Sequence, residues 1–280
     1  MKRRLKLISG LSTMAFGIAL AGCGAEGEGE GEGAEGEGGV VVVGAEGEGE
    51  SEGEGAAASG EGEGGEGEGE GAARTGDPTT DDVEYLYRLG MVRGHLAAFI
   101  ELYRAGSFDM AAMHVKHPES ELYAALSPAF AARGDGGFAD ALTSLADAAE
   151  NKGDVEQVYA ATVSSIRKSA GEANARTTLL AVSQLVSTAA EEFDIGVTEN
   201  GEIVEPHEYQ DAFGFLSAAR EIVAEIETRD INAGEAIAVA HEQIDLALAS
   251  FDGLVVAETE GVSSTLYGAA ARIEIAALGL

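Results

Sequence analysis

The sequence predicts an all-α protein: a helical bundle with an internally duplicated helical hairpin, preceded by a disordered tether rich in glycine and glutamate. Three observations carry this expectation. Composition changes abruptly near residue 74, from a Gly/Glu tract to an alanine- and leucine-rich chain. From Thr80 onward apolar residues recur at steps of three and four, the period of a helix face. Residues 84–130 also recur, weakly, as residues 208–254.

Residues 1–22 read as an export signal, with Lys2, Arg3, Arg4 and Lys6 before an apolar run too short to span a bilayer. The stretch Leu20-Ala21-Gly22-Cys23 resembles the lipobox of bacterial lipoproteins, whose cysteine is diacylated and becomes the new N-terminus. Cys23 is the only cysteine, so a disulfide framework is excluded and the thiol is free for lipid. Gly24 follows it where an aspartate would imply inner-membrane retention, so the resemblance implies a lipid anchor on the periplasmic face of the outer membrane.

Residues 23–79 form the linker. Positions 24–73 contain 20 Gly and 16 Glu with no Lys, Arg or aromatic residue, too little apolar surface to offset the entropy of ordering. A coil of that length spans about 40 Å. Spacer and weak cation sponge are both open readings, although flexible carboxylates chelate poorly.

The folded part is assigned to residues 80–280. Tyr85, Leu89, Val92, Leu96, Phe99 and Tyr103 line one face of a first helix, started by Thr80-Asp81-Asp82 and stopped by Gly106. A second helix runs from 108 to 116, and Pro118 breaks or restarts the chain. Further helices are expected at 118–133, 138–151, 154–170, 173–193, 206–227, 231–250 and 262–277, separated by Gly134-Asp135-Gly136-Gly137, Gly153 and Asp252-Gly253. Residues 196–204 read as a turn between short extended pieces, with Asn200-Gly201 at the tip.

The whole chain carries −33, and without the signal's four cations and the tether's 16 glutamates residues 74–280 still carry −21. Such a surface argues against nucleic acid and anionic headgroups, and suits cations or basic partners.

The internal repeat directs attention to metal ligands. Shifted by 124 residues, nine of 47 pairs are identical, among them Glu101/Glu225 and His117/His241. Each of those histidines has an acid four residues on, Glu121 and Asp245, where i and i+4 share a helix face. His117, His241, Glu121, Asp245, Glu101 and Glu225 therefore form the expected ligand set, suited to iron, manganese or zinc. The alternative is that these histidines cap or pack a helix junction. His95 and His114 have alanine at the equivalent positions and stand as secondary candidates. Met91, Met110 and Met113 are expected to fill the core, since Met91 and Met113 align with Phe215 and Ile237. No GxSxG, HExxH, CxxCH or phosphate-binding glycine loop is present, so haem, nucleotide and catalysis are not expected.

Glu199-Asn200-Gly201-Glu202-Ile203-Val204-Glu205-Pro206-His207-Glu208-Tyr209, leading into a long helix to residue 227, resembles the periplasmic helical extension of bacterial high-affinity iron permeases. The chain lacks permease helices and an Arg-Glu-x-x-Glu motif; Arg220-Glu221 is followed by Glu225 one place late. A fainter resemblance to imelysin-like periplasmic proteins stops short of their Gly-x-His-x-x-Glu motif at Gly94-His95. These resemblances imply a non-enzymatic iron-binding or iron-uptake accessory, working with a metal-transport or other cell-envelope protein. An acidic helical interaction scaffold without metal is the alternative.

Overall fold

A computed structural model of the chain describes residues 76–117, 122–151 and 153–280; of His117 only the backbone is included. The signal, Cys23 and nearly all of the tether lie outside the described residues. The rest is all-helical: α1 (Asp82–Arg104), α2 (Phe108–His117), α3 (Tyr123–Arg133), α4 (Ala139–Glu150), α5 (Val155–Ala170), α6 (Ala175–Gly196), α7 (Pro206–Ala224), α8 (Ile231–Leu248) and α9 (Ser263–Leu278).

Local chemistry sets these boundaries. Asp81 caps α1 by accepting from the amides of Val83 and Glu84, and Asp154, Asn174 and Asp230 cap α5, α6 and α8 in the same way. Pro206 occupies the first turn of α7, where its missing N–H leaves no bond unmade. Gly134 ends α3 with φ +68°, a left-handed conformation that favours glycine.

Helices α6 to α9 form one bundle, in which α6 lies against α7 and α9, and α8 against α9 and α7. The long helix α1 packs on α7 and α6 of that bundle, and on α2, α3 and α5 from its other sides. A single apolar face was the sequence expectation for α1, yet it is buried nearly all round, from Glu84 to Leu102. Small residues explain the difference. A Cβ at Gly94 would strike the Phe215 ring, and one at Gly214 would strike the Gly94 carbonyl oxygen, so α1 and α7 cross with their backbones in close approach.

The segment expected to be extended pairs Val197 with Ile203 around the Asn200-Gly201 turn. It also pairs with the loop after α8: Thr259 N–H donates to Gly201 O (2.8 Å) and Ile203 N–H to Ala257 O (2.9 Å). These bonds fix the start of α7. The two repeat halves differ in form: α2 corresponds to residues 232–241 inside α8, whereas α3 corresponds to residues 247–257, where α8 ends and a loop follows. Pro118 stands where α8 has Glu242, and His241 lies in the interior of α8. Among the described residues, no helix is long and apolar enough to cross a membrane.

Candidate metal centre

The first turns of α7 place His207, Glu208, Gln210 and Asp211 next to the crossing with α1. The Gly94–Gly214 contact draws the adjacent His95 onto α7, so that its Nδ1 lies 2.6 Å from Asp211 Oδ1. On α2 the inward positions are Met110, Ala111, His114 and Val115, spaced to form one helix face. His114 is fully buried and spans two residues of α7: its Nδ1 lies 3.0 Å from Asp211 Oδ1 and its Nε2 2.9 Å from Gln210 Oε1. His207 reaches the other carboxylate oxygen, with Nδ1 3.4 Å from Asp211 Oδ2. The His114 and His207 rings stack with centroids 4.3 Å apart and planes within 9°. Two groups of three donors result, His95–His114–Asp211 and His207–Glu208–Asp211, each with donor atoms within 4.8 Å of one another.

Gln210 orients His114. Its amide Nε2 donates to Leu254 O (3.1 Å) and points at Met110 Sδ (3.4 Å), so its oxygen is left to accept from His114 Nε2–H. The lone pair of Nδ1 then faces a carboxylate oxygen, and a proton or a metal cation must lie between them. A histidine that donates one nitrogen to a carbonyl and turns the other toward a carboxylate oxygen has the orientation usual for a supported metal ligand.

Electrostatics agree with a cation site. Burial works against the Asp211 charge, yet His95 and His114 outweigh it and hold this carboxyl far below its ordinary range. Glu192 of α6 is also buried, and its carboxyl meets that of Glu208; burial first, then Glu208, raises it to about 9. A carboxyl pair that retains a proton at neutral pH is a place where a metal ion can displace that proton.

Residues 169–274 match the family model of the iron permease-associated 4-helix bundle domain. The match covers less than half of the chain. No curated protein matches the chain, and no solved structure does. The iron permease-associated bundle corresponds to α6, α7, α8 and most of α9, and it contains the stretch from Glu199 whose resemblance the sequence had suggested. Glu192, His207, Glu208, Gln210 and Asp211 belong to this bundle, whereas His95 and His114 come from α1 and α2 outside it.

Four of the six residues singled out by the repeat have other surroundings. Glu101 pairs with Arg104, Glu225 with Arg93 and Arg167, and Asp245 with Arg220 (2.6 Å). Glu101, Glu225, Asp245 and half-buried His241 belong to neither three-donor group found among the described residues. The His117 side chain and Glu121 lie outside the described residues. The secondary candidates His95 and His114 do come together. Met91 is buried and Met110 partly so, but Met113 is 51% exposed rather than in the core, because it sits on the face of α2 opposite His114 and Val115. Sequence reasoning missed Asp211, Glu192, Gln210 and the place of His207 and Glu208 in the cluster. The readable signal was His207-Glu208-x-x-Asp211, whose spacing gathers donors in successive turns of one helix. A cavity of about 820 Å³ is lined by Leu89, Arg93, Arg167, Val182 and Glu225 among others, and shares no residue with the histidine cluster.

Proposed function

We propose that this protein is a non-enzymatic accessory of iron uptake in the bacterial envelope, binding iron at the cluster around Asp211. In this reading Cys23 carries the lipid that anchors it to the periplasmic face of the outer membrane. The Gly/Glu tether gives the helical body reach, and the body hands its ion to a metal-transport partner. The observation that carries the proposal is the convergence of His95, His114 and His207, three of the chain's five histidines, on one buried carboxylate. Imidazole and carboxylate without thiolate suit iron, manganese or zinc, and the iron permease-associated bundle favours iron among them. Burial also argues for a cation here, because an ionised carboxylate withdrawn from water needs a compensating charge.

The test is anaerobic titration of the purified metal-free chain with ferrous iron, beside His114→Ala and Asp211→Asn. Binding tighter than about 10 μM, lost in both variants while the helical circular-dichroism signal persists, is the expected result. Absence of binding by the wild-type chain would defeat the proposal and return the acidic scaffold as the better account.

A further inference from the structure

We infer that the cluster is built for two metal ions side by side, bridged by the two oxygens of Asp211; this rests on the metal-binding reading above. The inner position is made by His95, His114 and Asp211 Oδ1, and the outer one by His207, Glu208 and Asp211 Oδ2, with Glu192 beside Glu208.

Geometry separates two ions from one. Ligands of a single ion radiate from it, so their ring planes diverge. His114 and His207 instead lie face to face, 4.3 Å apart and within 9° of parallel, and their Nδ1 atoms lie 3.0 and 3.4 Å from different oxygens of the same carboxylate. Parallel rings put two coordinating lone pairs side by side, and the carboxylate between them offers one oxygen to each ion. Carboxylate-bridged pairs of ions about 3.5–4 Å apart are a recurrent arrangement, and helical bundles build them from carboxylate and histidine donors on facing helices.

Burial gives the two positions different access. His95, His114 and Asp211 are at most 3% exposed, while the His207 side chain is 13% exposed and Glu208 is partly open. The outer position is thus the way in, and the inner one is reached past it. Their origins differ as well, because the outer donors lie wholly within the iron permease-associated bundle and the inner position needs α1 and α2.

Manganese(II) is a suitable probe, since it accepts the same donors and reports its neighbours by electron paramagnetic resonance. The metal-free full chain, loaded with excess manganese(II) and desalted, should retain two ions per chain and show an exchange-coupled spectrum. His207→Ala should retain one ion with the hyperfine pattern of isolated manganese(II), and His95→Ala should do the same. One uncoupled ion in the wild-type chain, or two without coupling, would overturn the bridged pair while leaving metal binding intact. No ion at all, with iron also unbound, would defeat both readings. The wild-type spectrum decides the matter even if a variant fails to fold.

Discussion

The side chain of Gln210 is held between Leu254 and His114, donating to the carbonyl of the first and accepting from Nε2 of the second, at 3.1 and 2.9 Å. A loop far along the chain thereby sets the direction in which a histidine of α2 presents its other nitrogen. Gln210→Leu keeps the volume but removes both bonds. It should weaken metal binding about 10- to 100-fold, and destabilise the metal-free protein by about 1–3 kcal/mol for the buried groups left unpaired. Competition with a chromophoric chelator and urea titration measure the two effects. Unchanged affinity would show that His114 does not depend on Gln210.

The crossing of α1 and α7 makes a second prediction. A methyl at Gly214 meets the backbone of Gly94, which no side-chain rotation can relieve. Gly214→Ala should therefore cost about 1–3 kcal/mol, and lower metal occupancy by drawing His95 away from Asp211. Gly234 in α8 has nothing within 4 Å of the added atom, so Gly234→Ala should stabilise by up to about 1 kcal/mol. Thermal melts of the pair give the contrast, and equal melting shifts would argue against the close crossing.

Glu192 predicts a pH dependence of definite sign. Its carboxyl is raised from 4.5 to about 9, so between those values the folded metal-free protein holds a proton that the unfolded chain releases. Its contribution is complete below the lower value and is lost as pH rises toward the upper one. Glu192→Gln should flatten that decline and make the variant the more stable protein at pH 8, read as the urea midpoint from pH 5 to 9. Asp211 has the opposite sign, since a carboxyl held below its ordinary range loses its contribution on acidification.

Neutralising the acids that the repeat brings forward should leave the metal centre intact. Glu101→Gln, Glu225→Gln and Asp245→Asn each remove a partner of an arginine rather than a member of either donor group. Metal stoichiometry should be unchanged. Stability should fall by no more than about 1 kcal/mol for the exposed pairs of Glu101 and Asp245. A lost ion in any of the three would restore these acids as ligands.

Membrane attachment is tested at Cys23. Several acyl chains on one residue suffice for stable anchoring. Cys23→Ser should move the protein from the membrane to the soluble fraction, and persistence with the membrane would sink the anchor.

Much of the fold was legible because its signals are local. Asp81, Asp154, Pro206 and Gly134 announce helix ends through their own backbone chemistry, and Asn200-Gly201 announces the turn. The centre was legible only in part. His95 and His114 were visible as histidines, but the repeat ranks them below His117 and His241, whereas burial ranks them first. Asp211 and Glu192 are two among 34 acids of residues 74–280; only the spacing from His207 and Glu208 marks Asp211, and nothing in its sequence neighbours marks Glu192. What sets them apart is desolvation where α1, α2, α6 and α7 meet, a property of tertiary packing. The same cause hid the second buried face of α1, since Gly90, Gly94, Ala97 and Ala98 carry little apolar signal in sequence yet are buried by the helices packed against them.

The division of the donors between the C-terminal bundle and the two N-terminal helices has a mechanical consequence. On the proposed function, an ion held by His114 of α2 and by Asp211 of α7 would work as a clasp, fastening a peripheral helix to the body through coordination bonds. Ligand that binds only the folded chain adds about 2.7 kcal/mol at a hundredfold excess over its dissociation constant. The melting temperature would then double as a gauge of bound ion, with the loaded chain expected to resist heat and proteolysis near α2 more than the metal-free one.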